Sequence, residues 1–503
     1  MKIQRRFVQV GILLLTFQFC GANVAESQPR GRGTPSYQRR LVEEFDLDKD
    51  GRVEGAERAN ALKWIRDERK KNPPRRRGSG GRPQTDLQSR RISRSDVEVY
   101  PDRDLYDVGA IRTIFLDFEL PLWAEEMALL WRTGISTSAT LTMDGAEYPN
   151  VGVRFRGTSS FFTILNRKKK SFAISLDWAD PQQKVKGYKS LNLLNGHADP
   201  TFMRTVLFSH IAGKYVAICK ANFVHLVING ESWGLYINDQ QINKQFTKEA
   251  FGTKGGARWK IPPNFQGQAA LAYQGPRAED YEGKYQLGFS KSKAQAWRGL
   301  IKLCDVLSRS TPGELEKKLP PLLDVEHALW FLALDNVLMD GDGYHYRGSD
   351  YAIYMNPDGQ FFPLFRDNNE AFSYTGGPGG FGRSDPFRHG KKSLTLDPLV
   401  HVDEERAALC KALLSVPAWQ SQYLDRCRTL VNDWLDWKKV GPLVTAWRQQ
   451  IEPLIKADDK ALYGHQAFLV GLAEGTEGRP GLKKFFRERR AFLLECDALK
   501  KRN

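Results

Sequence analysis

The stretch that decides the fold runs from Leu338 to Phe372 and reads LMDGDGYHYRGSDYAIYMNPDGQFFPLFRDNNEAF. Two apolar runs, Tyr351–Met355 and Gln360–Phe365, flank Asn356-Pro357-Asp358-Gly359, a turn composition. A β-hairpin is therefore expected, and a tight turn on Asp358-Gly359 sets Asp350 directly opposite Asp367 at its open end. Two carboxylates so placed repel unless a cation lies between them. Just upstream, the apolar run Leu329–Leu338 predicts a buried helix that leads into Asp340-Gly341-Asp342-Gly343, and the glycine-flanked Asp342 reaches the same corner. Asp340, Asn368, Asn369 and Glu370 add oxygen donors of the kind magnesium takes. A purely structural acidic turn has the same composition.

Working outward, the pattern from Tyr100 onward is α+β. Ala139–Met143 and Tyr148–Arg156 read as a hairpin closed at Asp144-Gly145. Ser171–Trp178 is a further strand, and Asn222–Ile228 with Leu235–Asn238 is a hairpin around Asn229-Gly230. Thr201–Tyr215 reads as a helix, and 400–500 as mostly amphipathic helix whose Trp and Phe residues at 418–447 are core. Arg154 and Arg156-Gly157-Thr158-Ser159-Ser160, followed by Lys168-Lys169-Lys170, would offer phosphate oxygens backbone N–H groups, hydroxyls and cations. A basic surface hairpin reads the same way. Phosphate cradle and oxygen ligands together are what metal-assisted phosphoryl transfer needs, with a carboxylate to take the hydroxyl proton. His225, in an apolar strand, reads as core, and His345 lies near the site.

Before this region, DLDKDGRVEGAE (Asp46–Glu57) fits the twelve-position calcium loop of an EF-hand. Asp46, Asp48 and Asp50, the Arg52 carbonyl, Glu54 directly or through water, and Glu57 stand at the ligand positions, with Gly51 at the sharp turn. Tyr37, Leu41, Val42 and Phe45 before it, and Ala59, Leu62 and Ile65 after it, recur at helical spacing. No second loop is present to pair with Val53, so weak, extracellular-range affinity is expected.

The chain has 503 residues and is 41% hydrophobic, enough for a sizeable core, and its +16 formal charge suits an anionic partner. Much of that charge is local, with 11 Lys/Arg against 4 Asp/Glu between Arg66 and Asp96. Pro, Gly, Ser and Arg dominate 71–98, which reads as a basic linker that could also touch an acidic envelope polymer. Lys2, Arg5 and Arg6 before the apolar run Phe7–Phe19, then small residues to Ala25, give the order of a secretory signal over 1–25. Cys20 raises a lipoprotein alternative, against which stands the bulky Phe19. Export is expected, with no later membrane-spanning segment and no specific nucleic-acid partner. Five further cysteines are scattered in neither a metal-site nor a disulfide pattern.

Read in order, VGVRFRGTSS, KKKSFAISLDW, GYKSLNLLNGHADPTFMRTVLF, VINGESWGLYIND, the Leu338–Phe372 stretch and GLKKFFRERRAFL resemble the CotH kinase family, the spore-coat protein H-like secreted kinases, over about 105–495. The resemblance implies an atypical two-lobed protein-kinase-like domain over 100–500, preceded by the EF-hand over 34–70, that moves phosphate from ATP, with Mg2+ or Mn2+, to protein Ser/Thr hydroxyls. By the same resemblance Asp342 is the general base, Asp367 the metal aspartate, and Lys170 the phosphate lysine with Lys169 next to it. Arg156–Ser160 would cover the phosphates. The chain departs from the family pattern at Asp350, where an asparagine ligand is usual, at Asn369, where an aspartate is, and at Arg366, where a tryptophan is. Asp239-Gln240 stands where a glutamate is expected. These departures leave a nucleotide-binding pseudokinase open, as the calcium loop and basic linker leave an envelope or matrix protein open.

Overall fold

A computed structural model describes residues 39–72, 90–164, 169–262, 269–374 and 393–500. The expected signal segment 1–25, Lys168 and the glycine-rich run Gly376–Gly382 lie outside them, as does most of the expected linker.

Seven strands close into a barrel: β1 Arg112–Asp117, β2 Thr137–Met143, β3 Ala146–Arg156, β4 Ser171–Ser175, β5 Ser190–Leu194, β6 Ala221–Ile228 and β7 Glu231–Asp239. Their order is β1-β2-β3-β4-β5-β7-β6, and β6 returns to β1 as a parallel neighbour. Closure leaves no edge strand exposed. Side chains alternate across each strand, so Ile114 and Leu116, Val151 and Val153, Phe172 and Ile174, Leu191 and Leu193 fill one core together. The expected hairpins are both present. Asp144-Gly145 and Asn229-Gly230 all have positive φ, the geometry that matches the twist of the flanking strands.

A second sheet holds β8 Ala257–Lys260, β9 Gln286–Ser290, β10 Tyr351–Met355 and β11 Phe361–Phe365 in the order β11-β10-β8-β9. The expected β10–β11 hairpin forms, but its register corrects the expectation. Tyr351 pairs with Phe365 and Met355 with Phe361, which brings Asp350 level with Arg366 instead of Asp367. The turn is the cause. Asn356 Oδ1 accepts from the N–H groups of Asp358 and Gln360 at 3.0 and 2.9 Å, and Gly359 N donates to Asn356 O at 3.1 Å. Gly359 takes φ +89, so the loop carries one residue more than a two-residue turn.

This sheet divides two cores. Tyr351, Ile353 and Phe365 face a large helical core, whereas Ala352, Tyr354 and Leu364 face Cys219, Ile242 and Phe246 on the barrel side. At the centre of the helical core lies the Val325–Leu338 helix, apolar on nearly every face, as a fully buried helix must be. The expected Thr201–Tyr215 helix is shorter, Arg204–Ala212, because the Asp199 carboxylate accepts from Thr201 N and Arg204 N and holds the preceding residues in a turn. Five helices, Ala408–Ser415, Pro417–Asp433, Trp437–Ala457, His465–Leu472 and Leu482–Glu495, build the C-terminal part. No helix among the described residues is long and apolar enough to cross a membrane.

The helices Val42–Phe45 and Gly55–Lys71 bracket the acidic loop, and they pack on the barrel rather than standing apart on the linker. Residues 35–503 form one compact unit. Leu41, Val53, Leu62 and Ile65 share a small core with Leu130 and Ile135, and Leu41 N donates to Thr133 O at 2.8 Å. Arg58 donates to Glu126, Ser136 O and Thr137 at 2.9–3.0 Å. Val53, which lacks a second loop to pair with, is buried against this neighbour instead.

Candidate functional site

The acidic loops are held by backbone contacts that the sequence pattern alone does not show. Gly341 N donates to Glu370 O at 3.1 Å, Phe372 N to Leu338 O at 2.8 Å and Ser373 N to Met339 O at 3.2 Å. The fully buried Arg204 donates to the carbonyls of Ala371 and Phe372, both at 2.7 Å. The two segments carrying Asp342 and Asp367 are thereby tied together. Asp340 is buried and accepts from Asn368 Nδ2 at 2.7 Å, so this pair is a brace. His345 is also structural, since both its N–H and Nδ1 meet the Asp335 carboxylate at 2.7 and 2.6 Å. His225 lies in β6 against Ser232, at 2.8 Å, away from these loops.

Asp342 pairs with Arg347. Burial first, and Glu370 next, push its carboxyl well above the ordinary range, with Arg347 opposing and Asp350 adding. Asp350, just before β10, is 5% exposed, and burial and then Asp367 raise it to about 7. Asp350 and Asp367 both adopt positive φ, at 53° and 62°. Between their carboxylates sits a guanidinium: Arg366 Nη1 lies 3.6 Å from Asp350 and Nη2 3.8 Å from Asp367. The cation that the sequence demanded at this corner is supplied by the chain itself.

Further charges converge here from the barrel and from β8. Arg156 at the end of β3 and Asp239 at the end of β7 lie within electrostatic reach of Arg366 and Asp367. Burial raises Asp239 to about 7, against the pull of Arg156. Lys260 at the end of β8 is drawn down to about 7, first by Arg366 and then by burial. Nη1 of Arg156, Nε of Arg258 and Nη1 of Arg366 are buried without a hydrogen-bond partner among the described residues. Unpaired buried cation donors are costly, and an anion satisfies them. Shifted groups gathered in one place are a candidate functional site.

The lysines expected here have partners of their own. Lys169 is fully buried, pairs with Asp458 and lies against the Tyr236 ring at 4.6 Å. Lys170 donates to the carbonyls of Phe161 and Ile164 at 2.9 and 2.7 Å, closing the turn that follows Gly157. Within that turn Gly157 takes φ +86, and an added Cβ would meet Ser160 Oγ. Thr158 accepts from Arg132 at 3.0 Å, and Ser159 begins a single helical turn. Asn369 Nδ2 donates to His197 O at 3.1 Å. Asp239 is marked only as standing where the resemblance expects a glutamate, and no motif marks Arg258 or Lys260. The alternation in Ala257–Lys260, with Ala257 and Trp259 buried, is the signal that finds the last two.

Residues 153–493 match the family of CotH kinase proteins, about two-thirds of the chain, and the match includes Arg156, Asp239, Arg258, Lys260 and the Asp342–Asn369 loops. The chain belongs to the CotH kinase family. No curated protein sequence matches it. The match spans the pinned Asp342 and Asp367 segments and all but the last two residues of the C-terminal helix Leu482–Glu495. That helix sends Arg489 into the core to donate to Asn336 O, Leu394 O and Leu396 O at 2.7–3.1 Å.

In the calcium-type loop, the carboxylate oxygens of Asp46, Asp48 and Asp50 lie within 4.8 Å of one another. Asp46 Oδ2 accepts from Gly51 N at 3.0 Å, and its buried Oδ1 has no hydrogen-bond partner among the described residues. Glu57 Oε1 accepts from Leu47 N at 2.6 Å, closing the loop on itself. Hard oxygens converging with one donor site unsatisfied fit calcium.

Proposed function

We propose that this CotH family member is an exported, calcium-binding kinase that transfers the γ-phosphate of ATP to Ser or Thr hydroxyls of a protein substrate. The observation that carries this reading is the convergence of Asp342, Asp350 and Asp367 with the partnerless donors of Arg156, Arg258 and Arg366 between the barrel and the second sheet. We read the barrel and the helical body as the two lobes.

The cations face the phosphate chain, and the Gly157–Ser160 turn borders it. Asp342 takes the proton of the acceptor hydroxyl as its oxygen bonds to the γ-phosphorus and the bond to the ADP oxygen breaks. Burial makes Asp342 a stronger base than an exposed carboxylate, and Arg347 favours its ionised form. Asp367, whose side chain is 41% exposed, could hold one Mg2+ or Mn2+ with Asn369. A metal bound there would neutralise charge on the transferred phosphate. The Asp350–Asp367 pair does not fit a bridging ion, because Arg366 lies between the two carboxylates.

Incubation of the purified chain with γ-radiolabelled ATP and Mn2+ tests the reading. Label on protein that disappears in Asp342→Ala and in Asp367→Ala supports it. Thermal stabilisation by ATP without transfer would instead assign a nucleotide-binding pseudokinase, a reading that the position of Arg366 favours.

A further inference from the structure

The charges at the open end of the β10–β11 hairpin converge on Arg366. Arg366 lies across the register from Asp350, 3.6 Å from its carboxylate and 3.8 Å from that of Asp367. Asn369, two residues after Asp367, donates its amide to His197 O at 3.1 Å. Around them stand three carboxylates, Asp239, Asp350 and Asp367, and four cations, Arg156, Arg258, Lys260 and Arg366. Such a set is already slightly positive, so a polyphosphate meets attraction without a second divalent ion.

We propose that the Arg366 guanidinium takes the place of the divalent cation that would otherwise bridge Asp350 and Asp367, so that this site receives a polyphosphate chain on Arg366 and its neighbouring cations with one metal ion at most. This rests on the phosphotransferase reading of the site and specifies how that site handles charge. Arg366 suits the role because a planar guanidinium offers several donors at once. At 3.6 and 3.8 Å its two ion pairs use up none of its N–H groups as hydrogen-bond donors, so these can serve phosphate oxygens. Nη1 of Arg366 and Nη1 of Arg156, both buried and without a hydrogen-bond partner among the described residues, are the donors so presented. Lys260 has no hydrogen-bond or ion-pair partner for its ammonium among the described residues and adds a third cation.

Binding of inorganic tripolyphosphate and of ATP to the full chain by calorimetry, in EDTA and in Mg2+, tests this. The native protein is expected to bind tripolyphosphate in EDTA. Arg366→Gln should weaken that binding at least about tenfold, the loss of one charge-assisted contact. Arg366→Lys should restore part of it. In Mn2+ with a non-hydrolysable ATP analogue, Arg366→Gln should bind one more ion per chain than the native protein, because its carboxylates are then free to take it. Binding of tripolyphosphate only in Mg2+, with Arg366→Gln unchanged in affinity and ion count, would overturn the inference and leave the kinase reading standing. No binding of either probe in any condition would overturn both.

Discussion

The indole Nε1 of Trp131 donates to the carbonyl of Gly157 at 3.1 Å, and the same ring stacks on Phe161 at 4.5 Å. Its neighbour Arg132 holds Thr158, while Leu130 and Ile135 on either side pack into the small core of the calcium-type loop. One short segment thus touches both the calcium-type loop and the turn proposed to border the phosphates. Trp131→Phe keeps the ring stack and deletes the hydrogen bond, leaving a partly buried carbonyl unpaired. A loss of about 1–3 kcal/mol in stability is expected, with weaker ATP binding. Denaturant unfolding and calorimetry check it; unchanged ATP affinity would show that the turn does not serve the nucleotide.

Calcium should stabilise the chain through linkage, since the loop is folded only in the native state. At about 100 times its Kd the ion is expected to add about 2.7 kcal/mol. Thermal unfolding with and without Ca2+ measures this. The shift should vanish in Asp46→Ala, shrink in Glu57→Gln, and be absent when Mg2+ replaces Ca2+ at the same concentration.

Arg489 sits with no exposed surface and donates to four backbone carbonyls and the Asn336 side chain. Arg489→Met fills the space but strands those acceptors, with an expected cost of about 3–5 kcal/mol. Urea unfolding that shifts by under about 1 kcal/mol would mean that the carbonyls find other partners.

Acid should destabilise the chain through two buried imidazoles. Burial, then His345, lowers His401 to about 3, and burial, then Lys169, lowers His225 to about 4. The unfolded chain protonates both from about pH 6.5 downward, so it binds more protons than the folded chain and stability falls with pH in that window. Asp239 and Asp350, raised to about 7, act oppositely: their contribution is present at low pH and lost as pH rises from about 4 to 7. His401→Asn tolerates the positive φ of that position. It should remove up to about 1.4 kcal/mol per pH unit from the acid slope, read as Tm between pH 6.5 and 4. An unchanged slope would contradict the burial argument.

Much of this was legible in the residues. Period-two alternation and the Asp-Gly and Asn-Gly turns located the barrel hairpins, because local backbone preference and side-chain burial agree there. The hairpin register was not legible. It depends on one Asx turn at Asn356, and a one-residue slip brings Arg366 level with Asp350. The partners of the expected lysines were not legible either: Lys169 pairs with Asp458, and Lys170 donates to the Phe161 and Ile164 carbonyls. Lys260 and Asp239 come from strands distant in sequence, and only the packing of sheet on barrel brings them together.

The central claim is that Asp342 is the base of a phosphoryl transfer. The most direct measurement compares Asp342→Asn with the native chain for ATP affinity and for rate of γ-phosphate transfer to protein hydroxyls. The account predicts an unchanged Kd and a rate lower by about a hundredfold or more. Transfer within a few-fold of native in Asp342→Asn would contradict it.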